Sequence, residues 1–221
     1  MQEIRFERKW IFDDQLFNQL EIKLRRSKFN FVKSFDERLV NSVYFDSNKL
    51  SIAQENLDGV YRKKKIRIRW YGDSLILKKP ILEIKKKIGF IVHKSKHPLD
   101  IFENLDISNS SNLNMISDYL NNNFHFSNRI YPTSLISYLR NYFVSSHNQI
   151  RATIDRKVVS RKIYFDQVLN KKFIMNNCIL EFKYPTIQDT YVRENLNISL
   201  RLVKNSKYIN SIFKQPGRYI H

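Results

Sequence analysis

The chain has 221 residues and a formal net charge of +18, with 42% hydrophobic and 14% aromatic residues. This composition excludes a disordered basic tail and indicates a folded protein with a polyanionic partner, which could be a nucleic acid, a membrane surface or a phosphate-rich small molecule. The single cysteine, Cys178, excludes an intramolecular disulfide framework and a cysteine-rich zinc site.

Alternation of polar and apolar residues predicts strands through most of the chain. In chain order we expect a strand at residues 3–12, a helix from Asp13 or Asp14 to about Arg26, a strand at 39–47, a short helix or turn at 48–59, and strands at 61–71 and 81–87. There follow a helical stretch at 98–127, strands at 134–144, 149–158 and 178–184, and a last helix at 203–213. Glycine is scarce and no Pro/Gly/Ser-rich linker interrupts the pattern, which predicts one domain over residues 1–221.

The segment KKKIRIRWYG, residues 63–72, places a stripe of positive charge on one face of a strand. Successive strand side chains point to opposite faces, so Lys63, Lys65, Arg67 and Arg69 share a face. Other predicted strands carry ionic residues in the same alternation: Arg5, Glu7 and Lys9; Glu83 and Lys85; Arg151 and Asp155; Glu181 and Lys183.

Two folds explain these charged faces. They are either the solvated outer faces of an antiparallel sandwich or the lumen of a closed barrel whose apolar faces pack against helices. Five such strands favour the second fold, a mainly-β (α+β) protein with a closed antiparallel eight-stranded β-barrel tunnel and helices outside. Crowded cations in such a lumen repel each other, and a linear polyanion would offset that cost. Arginine binds phosphate oxygens bidentately, and carboxylates would hold a hard divalent cation.

The chain resembles the VTC-type polyphosphate polymerase domain, which belongs to the triphosphate tunnel metalloenzymes of the CYTH-like superfamily. The resemblance rests on motifs in the same order: RFERKW, VNSVYFDS, YRKKKIRIRWYG, LEIKKK, SYLRNY, IRATID, ILEFKY and VKNSKYINSI. It extends from about Arg5 to Phe213 and implies an eight-stranded antiparallel β-tunnel with helices outside.

The resemblance also implies a role for individual residues. The implied phosphate-binding residues are Lys9, Arg67, Arg69, Lys85, Arg140, Arg151, Lys183, Lys204 and Lys207. Those implied to take part in catalysis are Arg67, Arg69, Lys85, Arg140, Arg151 and Lys204. Glu181 matches the carboxylate that holds Mn²⁺ or Mg²⁺, and Glu7, Glu83 and Asp155 could each be a second metal ligand or an ion-pair partner of a neighbouring arginine.

One departure distinguishes branches of the superfamily. Its hydrolases and cyclases open with Glu-x-Glu-x-Lys, whereas this chain has Arg5, Glu7 and Lys9 at the corresponding positions. The exchange of the first glutamate for a cation resembles the polymerase branch.

These observations predict metal-dependent phosphoryl transfer on ATP, triphosphate or polyphosphate, with synthesis of polyphosphate from ATP as the expected activity. A tripolyphosphatase or nucleoside triphosphatase, or a polyphosphate-binding module without turnover, would use the same tunnel. We expect no nucleic-acid partner, because no RNP-like aromatic motif accompanies the basic strands. No stretch approaches the roughly 20 apolar residues of a membrane span. We therefore expect a cytoplasmic protein whose contact with a membrane pore would need a separate partner.

Overall fold

A computed structural model of the chain describes residues 5–89, 91–147, 149–164, 167–196 and 202–213, with the backbone only of Ile91 and Asn170. The strands are β1 (Arg5–Asp13), β2 (Val32–Asp46), β3 (Arg62–Tyr71), β4 (Ile81–Ile88), β5 (Ile91–Pro98), β6 (Tyr131–Val144), β7 (Arg151–Tyr164), β8 (Gln167–Met175) and β9 (Asn177–Pro185). The helices are α1 (Phe17–Arg25), α2 (Ser51–Leu57), α3 (Ser110–Asn123), α4 (Asp189–Asn195) and α5 (Lys207–Phe213).

The strands and helices predicted from alternation are confirmed, but β5 and β8 were not predicted. In β5, five consecutive polar residues, HKSKH at 93–97, hide the period of two. Pairing with β4 over the whole of β5 makes this segment a strand. The helical prediction at 98–127 is correct for α3, which begins after the side chain of Asn109 accepts a hydrogen bond from the backbone N–H of Ser111. The stretch at 103–109 is not helical.

The sheet is antiparallel in β1–β9, β7–β9, β2–β3, β3–β4 and β4–β5. Its strands pair in the order β1–β9–β7–β6–β2–β3–β4–β5, and β8 pairs with β7. The mainly-β antiparallel sheet with helices is as predicted. Within the described residues, however, the path ends at β1 and at β5, so the sheet is not closed into the predicted barrel.

The chain divides into two compact units, each made of three segments. Unit 1 comprises Met1–Arg38, Tyr138–Val158 and Met175–Asn205, and unit 2 comprises Leu39–Ser137, Val159–Ile174 and Ser206–His221. Strands β2, β6, β7 and β8 contribute residues to both units. One VTC-like domain over residues 1–221 stays a prediction.

The core of unit 1 lies between β1, β9 and α1. Trp10 meets Phe182 edge to face, with ring centroids 5.5 Å apart, and Leu20 and Leu24 of α1 are buried in the same cluster. Asp13 accepts a hydrogen bond from the backbone N–H of Gln15 and caps the 3₁₀ turn that precedes α1. These contacts fix β1 and β9 side by side, which sets the register of the charged residues on their polar face.

The core of unit 2 explains the alternation in KKKIRIRWYG. Ile66, Ile68 and Trp70 are at most 1% exposed. Ile68 and Trp70 lie beside Leu113 and Ile116 of α3. The apolar face of β3 therefore packs toward a helix, and the stripe from Lys63 to Arg69 lies on the opposite face of the strand.

Candidate functional site

The first candidate cluster lies in unit 2, where the buried carboxylate of Glu83 binds three cationic side chains. Arg67 lies directly opposite Glu83 in the β3–β4 register. Its Nε and Nη2 donate to Oε2 of Glu83 at 2.9 and 2.7 Å. Lys94 Nζ lies 2.8 Å from Oε1, and Arg69 Nη2 donates to the same oxygen. A carboxylate has about four lone-pair sites, so these cations occupy all of them.

Electrostatics keep Glu83 ionised. Burial alone would raise its pKa, but Arg67, Arg69 and Lys94 outweigh burial and lower the pKa far below its usual range. For Lys94, burial lowers the pKa to about 8, because the attraction of Glu83 does not fully offset burial and the repulsion of the two arginines. The cluster carries an excess of positive charge at neutral pH, which suits it to bind a polyanion.

Lys94 was not among the predicted site residues. It lies on β5, the strand that the sequence pattern did not predict. Lys94 can be recognised as a site residue only when the pairing of β5 with β4 is known. The register then places Lys94 directly opposite Lys85, which is a predicted phosphate-binding residue.

Tyr44 positions Arg67, a role that the sequence pattern did not predict. Arg67 Nη1 donates to Tyr44 Oη at 3.0 Å. The Tyr44 ring stacks on Tyr208 of α5 with centroids 4.9 Å apart and planes 12° apart. Tyr208 Oη in turn donates to Asp46 Oδ2 at 2.5 Å. The alternation in VYFD places Tyr44 and Asp46 on one face of β2 but does not indicate what the two side chains contact there.

Asp46 is the buried anchor of that chain of contacts. Its carboxylate is 0% exposed and accepts the backbone N–H groups of Ile52 and Ala53 in the first turn of α2, both at 2.8 Å. The side chains from Asp46 to Arg67 are therefore held by hydrogen bonds and stacking, so Arg67 has little rotamer freedom left to lose when it binds a ligand.

The other predicted cations of unit 2 extend the same face of β3 and β4. Lys85 lies directly opposite Lys65, and Lys65 Nζ donates to Ser206 Oγ at 2.9 Å. Lys207 is the first residue of α5 and is partly exposed.

The second candidate cluster lies in unit 1, on the polar face of β1 and β9. Register places Lys9 opposite Glu181 and Glu7 opposite Lys183. Lys9 Nζ lies 2.7 Å from Glu7 Oε1 and 3.3 Å from Glu181 Oε2. Lys183 Nζ lies 2.5 Å from Glu181 Oε1. The two carboxylates therefore converge on a single ammonium group.

The cations decide the charge state of this cluster. Burial alone would raise the pKa of Glu181, but Lys183, Lys9 and Arg140 lower it well below its usual range. Burial likewise acts to lower the pKa of Lys9, but Glu181 and Glu7 raise it well above its usual value. Both groups are thus charged at any physiological pH.

Arg140 forms the most buried ion pair of unit 1. Its Nε and Nη2 lie 2.5 and 2.7 Å from the two oxygens of Asp155, which is 0% exposed. Burial lowers the pKa of Arg140, but Asp155 outweighs burial and raises it. Of the two roles that the sequence left open for Asp155, its contacts are those of the ion-pair partner.

Two further predicted residues lie on the surface of unit 1. Arg151 is exposed and lies opposite Lys183 in the β7–β9 register. Lys204 is exposed and lies in the non-helical stretch 202–206, because the predicted helix at 203–213 begins at Lys207. The structure thus brings Lys9, Lys183 and Glu181 together and leaves Lys204 outside this set of ion pairs.

The contacts of each carboxylate indicate whether it could bind a metal ion. Within the described ranges, no group of three or more His, Cys, Asp or Glu residues comes together. Glu7 and Glu181 fit as two oxygen ligands of a hard cation, because their oxygens converge on one position, that of the Lys9 ammonium, which a metal ion could take in its place. Phosphate oxygens and water complete such sites. Glu83 does not fit, because Arg67, Arg69 and Lys94 occupy its oxygens.

In the described part of the chain, no helix combines the length and the apolar character needed to cross a membrane.

Comparisons with known proteins identify the family of the chain. Among solved structures, the chain is similar to a protein of Vibrio parahaemolyticus provisionally named an adenylate cyclase, with 11% identity, a TM-score of 0.48, and coverage of 88% of this chain and 83% of that chain. It is also similar to a protein of Bacillus halodurans with the same provisional name, with 14% identity, a TM-score of 0.47, and coverage of 92% of this chain and 95% of that chain. A search of curated proteins found no match. The model of the VTC domain family matches residues 4–214, which confirms the resemblance drawn from the motifs. The chain belongs to the VTC domain family.

Proposed function

We propose that this VTC-family chain catalyses metal-dependent phosphoryl transfer and lengthens polyphosphate from ATP. Membership of the family implies triphosphate or polyphosphate as the ligand. The observation that carries the proposal is the cluster of Arg67, Arg69 and Lys94 on Glu83, in which excess cations are held rigidly on one face of β3–β5. Because Glu83 and Tyr44 already hold these side chains in place, they would lose little rotamer freedom on binding phosphate oxygens, as charge stabilisation in a transition state requires.

The arginines would bind and orient the phosphates. In phosphoryl transfer the developing charge spreads over the equatorial oxygens of the transferred group, and catalysis consists mainly of positioning and charge stabilisation. Arg67 and Arg69 supply planar guanidinium donors for those oxygens, and Tyr44 holds Arg67 in place. We assign the same kind of role to Lys85, Arg140, Arg151 and Lys204, as the family resemblance implies.

The carboxylates of Glu181 and Glu7 would hold Mg²⁺ or Mn²⁺. Such an ion would supply positive charge beside the phosphate oxygens and so offset their negative charge. Lys9 and Lys183 keep Glu181 ionised and therefore ready to coordinate a cation. Lys9, which contacts both carboxylates, would also bind phosphate beside them.

Arg5 favours polymerase activity over hydrolysis. It replaces the first of the two glutamates with which the hydrolase and cyclase branch of the superfamily begins, so only Glu7 remains of that pair. With one carboxylate fewer, a two-metal site that activates water has less support. The cytoplasmic location expected from the sequence belongs to the same proposal.

Turnover of ATP by the purified chain tests the proposal. The protein is incubated with ATP and Mn²⁺, and products are analysed by gel electrophoresis for phosphate chains and by an assay for free phosphate. Long chains support the polymerase, free phosphate alone indicates a hydrolase, and binding without product indicates a binding module.

Two variants show whether the assigned carboxylate is responsible. Glu181→Gln should eliminate metal-dependent turnover and keep most of the affinity for tripolyphosphate, because the surrounding cations remain. Asp118→Asn, which alters an exposed carboxylate on α3, is the control and should keep full turnover. Unchanged turnover in Glu181→Gln would contradict the metal assignment.

A further inference from the structure

We propose that Lys63 and Lys87 form a distal phosphate subsite that binds polyphosphate chains longer than a triphosphate. This inference rests on the proposed function and adds a determinant of chain length to it. The two residues are directly opposite each other in the β3–β4 register and share the face that carries Arg67 and Arg69.

Cationic side chains form three successive rows on this face. The arginine row consists of Arg67 and Arg69, which contact Glu83. The middle row consists of Lys65, Lys85 and Lys94, which lie opposite one another across β3, β4 and β5. The distal row is Lys63 and Lys87. From Arg69 to Lys63 the strand covers six residue steps, or roughly 20 Å.

In the arginine row, a carboxylate offsets part of the positive charge, and the distal row differs in this respect. Glu83 pairs with both arginines and with Lys94. In the described ranges, neither Lys63 nor Lys87 forms an ion pair. Like charges directly opposite each other on neighbouring strands destabilise a sheet, so this row is held at a cost that a bound polyanion would offset.

Continuity with the arginine row identifies the ligand as a linear chain of phosphates. A triphosphate is much shorter than the distance from Arg69 to Lys63 and can occupy the arginine row without contacting the distal row. A long polyphosphate carries charge at regular short intervals and can follow all three rows. The distal row should therefore contribute to the affinity for long chains and contribute nothing to the affinity for tripolyphosphate.

The same two strands supply a matched control. Lys64 and Lys86 are also directly opposite each other, one residue along from the distal pair, but on the other face of the sheet. That face continues into Ile66 and Ile68, which are buried, so no arginine row adjoins it. Replacing either lysine pair removes the same charge from nearly the same place.

The experiment measures binding of tripolyphosphate and of a long-chain polyphosphate preparation, in EDTA, to the wild type and two double variants. In Lys63→Gln/Lys87→Gln we expect affinity for the long chain to fall roughly three- to tenfold and affinity for tripolyphosphate to stay unchanged. The slope of log affinity against log salt for the long chain should become shallower by about 1.4, at ~0.7 for each phosphate that the variant no longer neutralises. Lys63→Arg/Lys87→Arg should restore both values.

Lys64→Gln/Lys86→Gln should bind both ligands like the wild type. Equal losses of affinity in the two Gln double variants, or no loss in either, would overturn the subsite while leaving the proposed function in place. A wild type that binds neither ligand more tightly than monophosphate would overturn the proposed function and the subsite together. Thermal melting of each variant without ligand confirms that all are folded.

Discussion

Replacing Glu83 by glutamine should destabilise the protein and at the same time strengthen its binding of tripolyphosphate. The carboxylate is 4% exposed and compensates Arg67, Arg69 and Lys94. Removing one partner of a buried ion pair costs about 3–5 kcal/mol. Because the side chains of Arg67 and Lys94 keep 21% and 34% of their surface exposed, we expect the lower end, about 3 kcal/mol. That corresponds to a melting temperature lower by roughly 6 to 12 °C for a chain of this length.

Affinity for tripolyphosphate should increase in Glu83→Gln although the free energy of unfolding decreases. In the wild type, a phosphate chain competes with Glu83 for the same cations. In Glu83→Gln the cations no longer share their charge with a carboxylate, so bound phosphate gains more interaction energy. The stabilisation that tripolyphosphate provides should therefore be larger in the variant than in the wild type.

Chemical denaturation and thermal melting, with and without tripolyphosphate in EDTA, measure both effects. Asp118→Asn is the matched control, because Asp118 pairs with Arg129 on the surface and both side chains are more than half exposed. It should change stability by less than about 1 kcal/mol. A Glu83→Gln variant as stable as the wild type would refute the reasoning that three cations depend on this carboxylate. Weaker binding of tripolyphosphate by the variant would refute the reasoning that they compete for phosphate.

Three further predictions concern the pH dependence of ligand binding, the pH dependence of stability, and one buried hydrogen bond. The pKa of Lys94 is lowered to about 8, so affinity for tripolyphosphate should fall as pH rises through 8, and Lys94→Arg should remove that pH dependence in a titration from pH 7 to 9. The pKa of Glu83 and of Glu181 is lowered in the folded protein. Their ion pairs therefore contribute stability above pH ~4.5, and this contribution is lost as the pH falls below that value. The midpoint of chemical denaturation should accordingly decrease from pH 5 to pH 3. Tyr208→Phe should cost about 1.5–3 kcal/mol in urea denaturation, because it removes a buried hydrogen bond to the charged Asp46; a loss under about 0.5 kcal/mol would contradict that contact.

The sequence predicted those parts of the fold and site that depend on a local period. In β3 the alternation alone separated the buried Ile66 and Ile68 from the cationic Arg67 and Arg69. The same alternation placed Glu181 and Lys183 on one face of β9. Because a strand has a period of two, such face assignments need no knowledge of the partner strand.

The contacts between strands could not be predicted in this way, because register depends on residues distant in the chain. The sequence left open whether Glu83 binds a metal ion or an arginine, and only the pairing of β3, β4 and β5 brings Arg67 and Lys94 onto it. In β5, the run of polar residues from His93 to His97 concealed the strand and therefore Lys94. The contact of Tyr44 with Tyr208 joins residues far apart in sequence, and no local pattern announces it.

Thermal melting with three anions tests most directly that the arginine cluster recognises phosphate chains. The ligands are tripolyphosphate, monophosphate at equal charge concentration, and short duplex DNA, each at two salt concentrations. At a hundredfold excess over its dissociation constant, tripolyphosphate should add about 2.7 kcal/mol of stability and raise the melting temperature by roughly 5 to 10 °C. Monophosphate and duplex DNA should raise it far less. Arg67→Gln should reduce the tripolyphosphate shift, and Arg129→Gln, an exposed control, should not. Equal shifts from all three anions would contradict the account, because the charge of +18 would then act as a general basic surface.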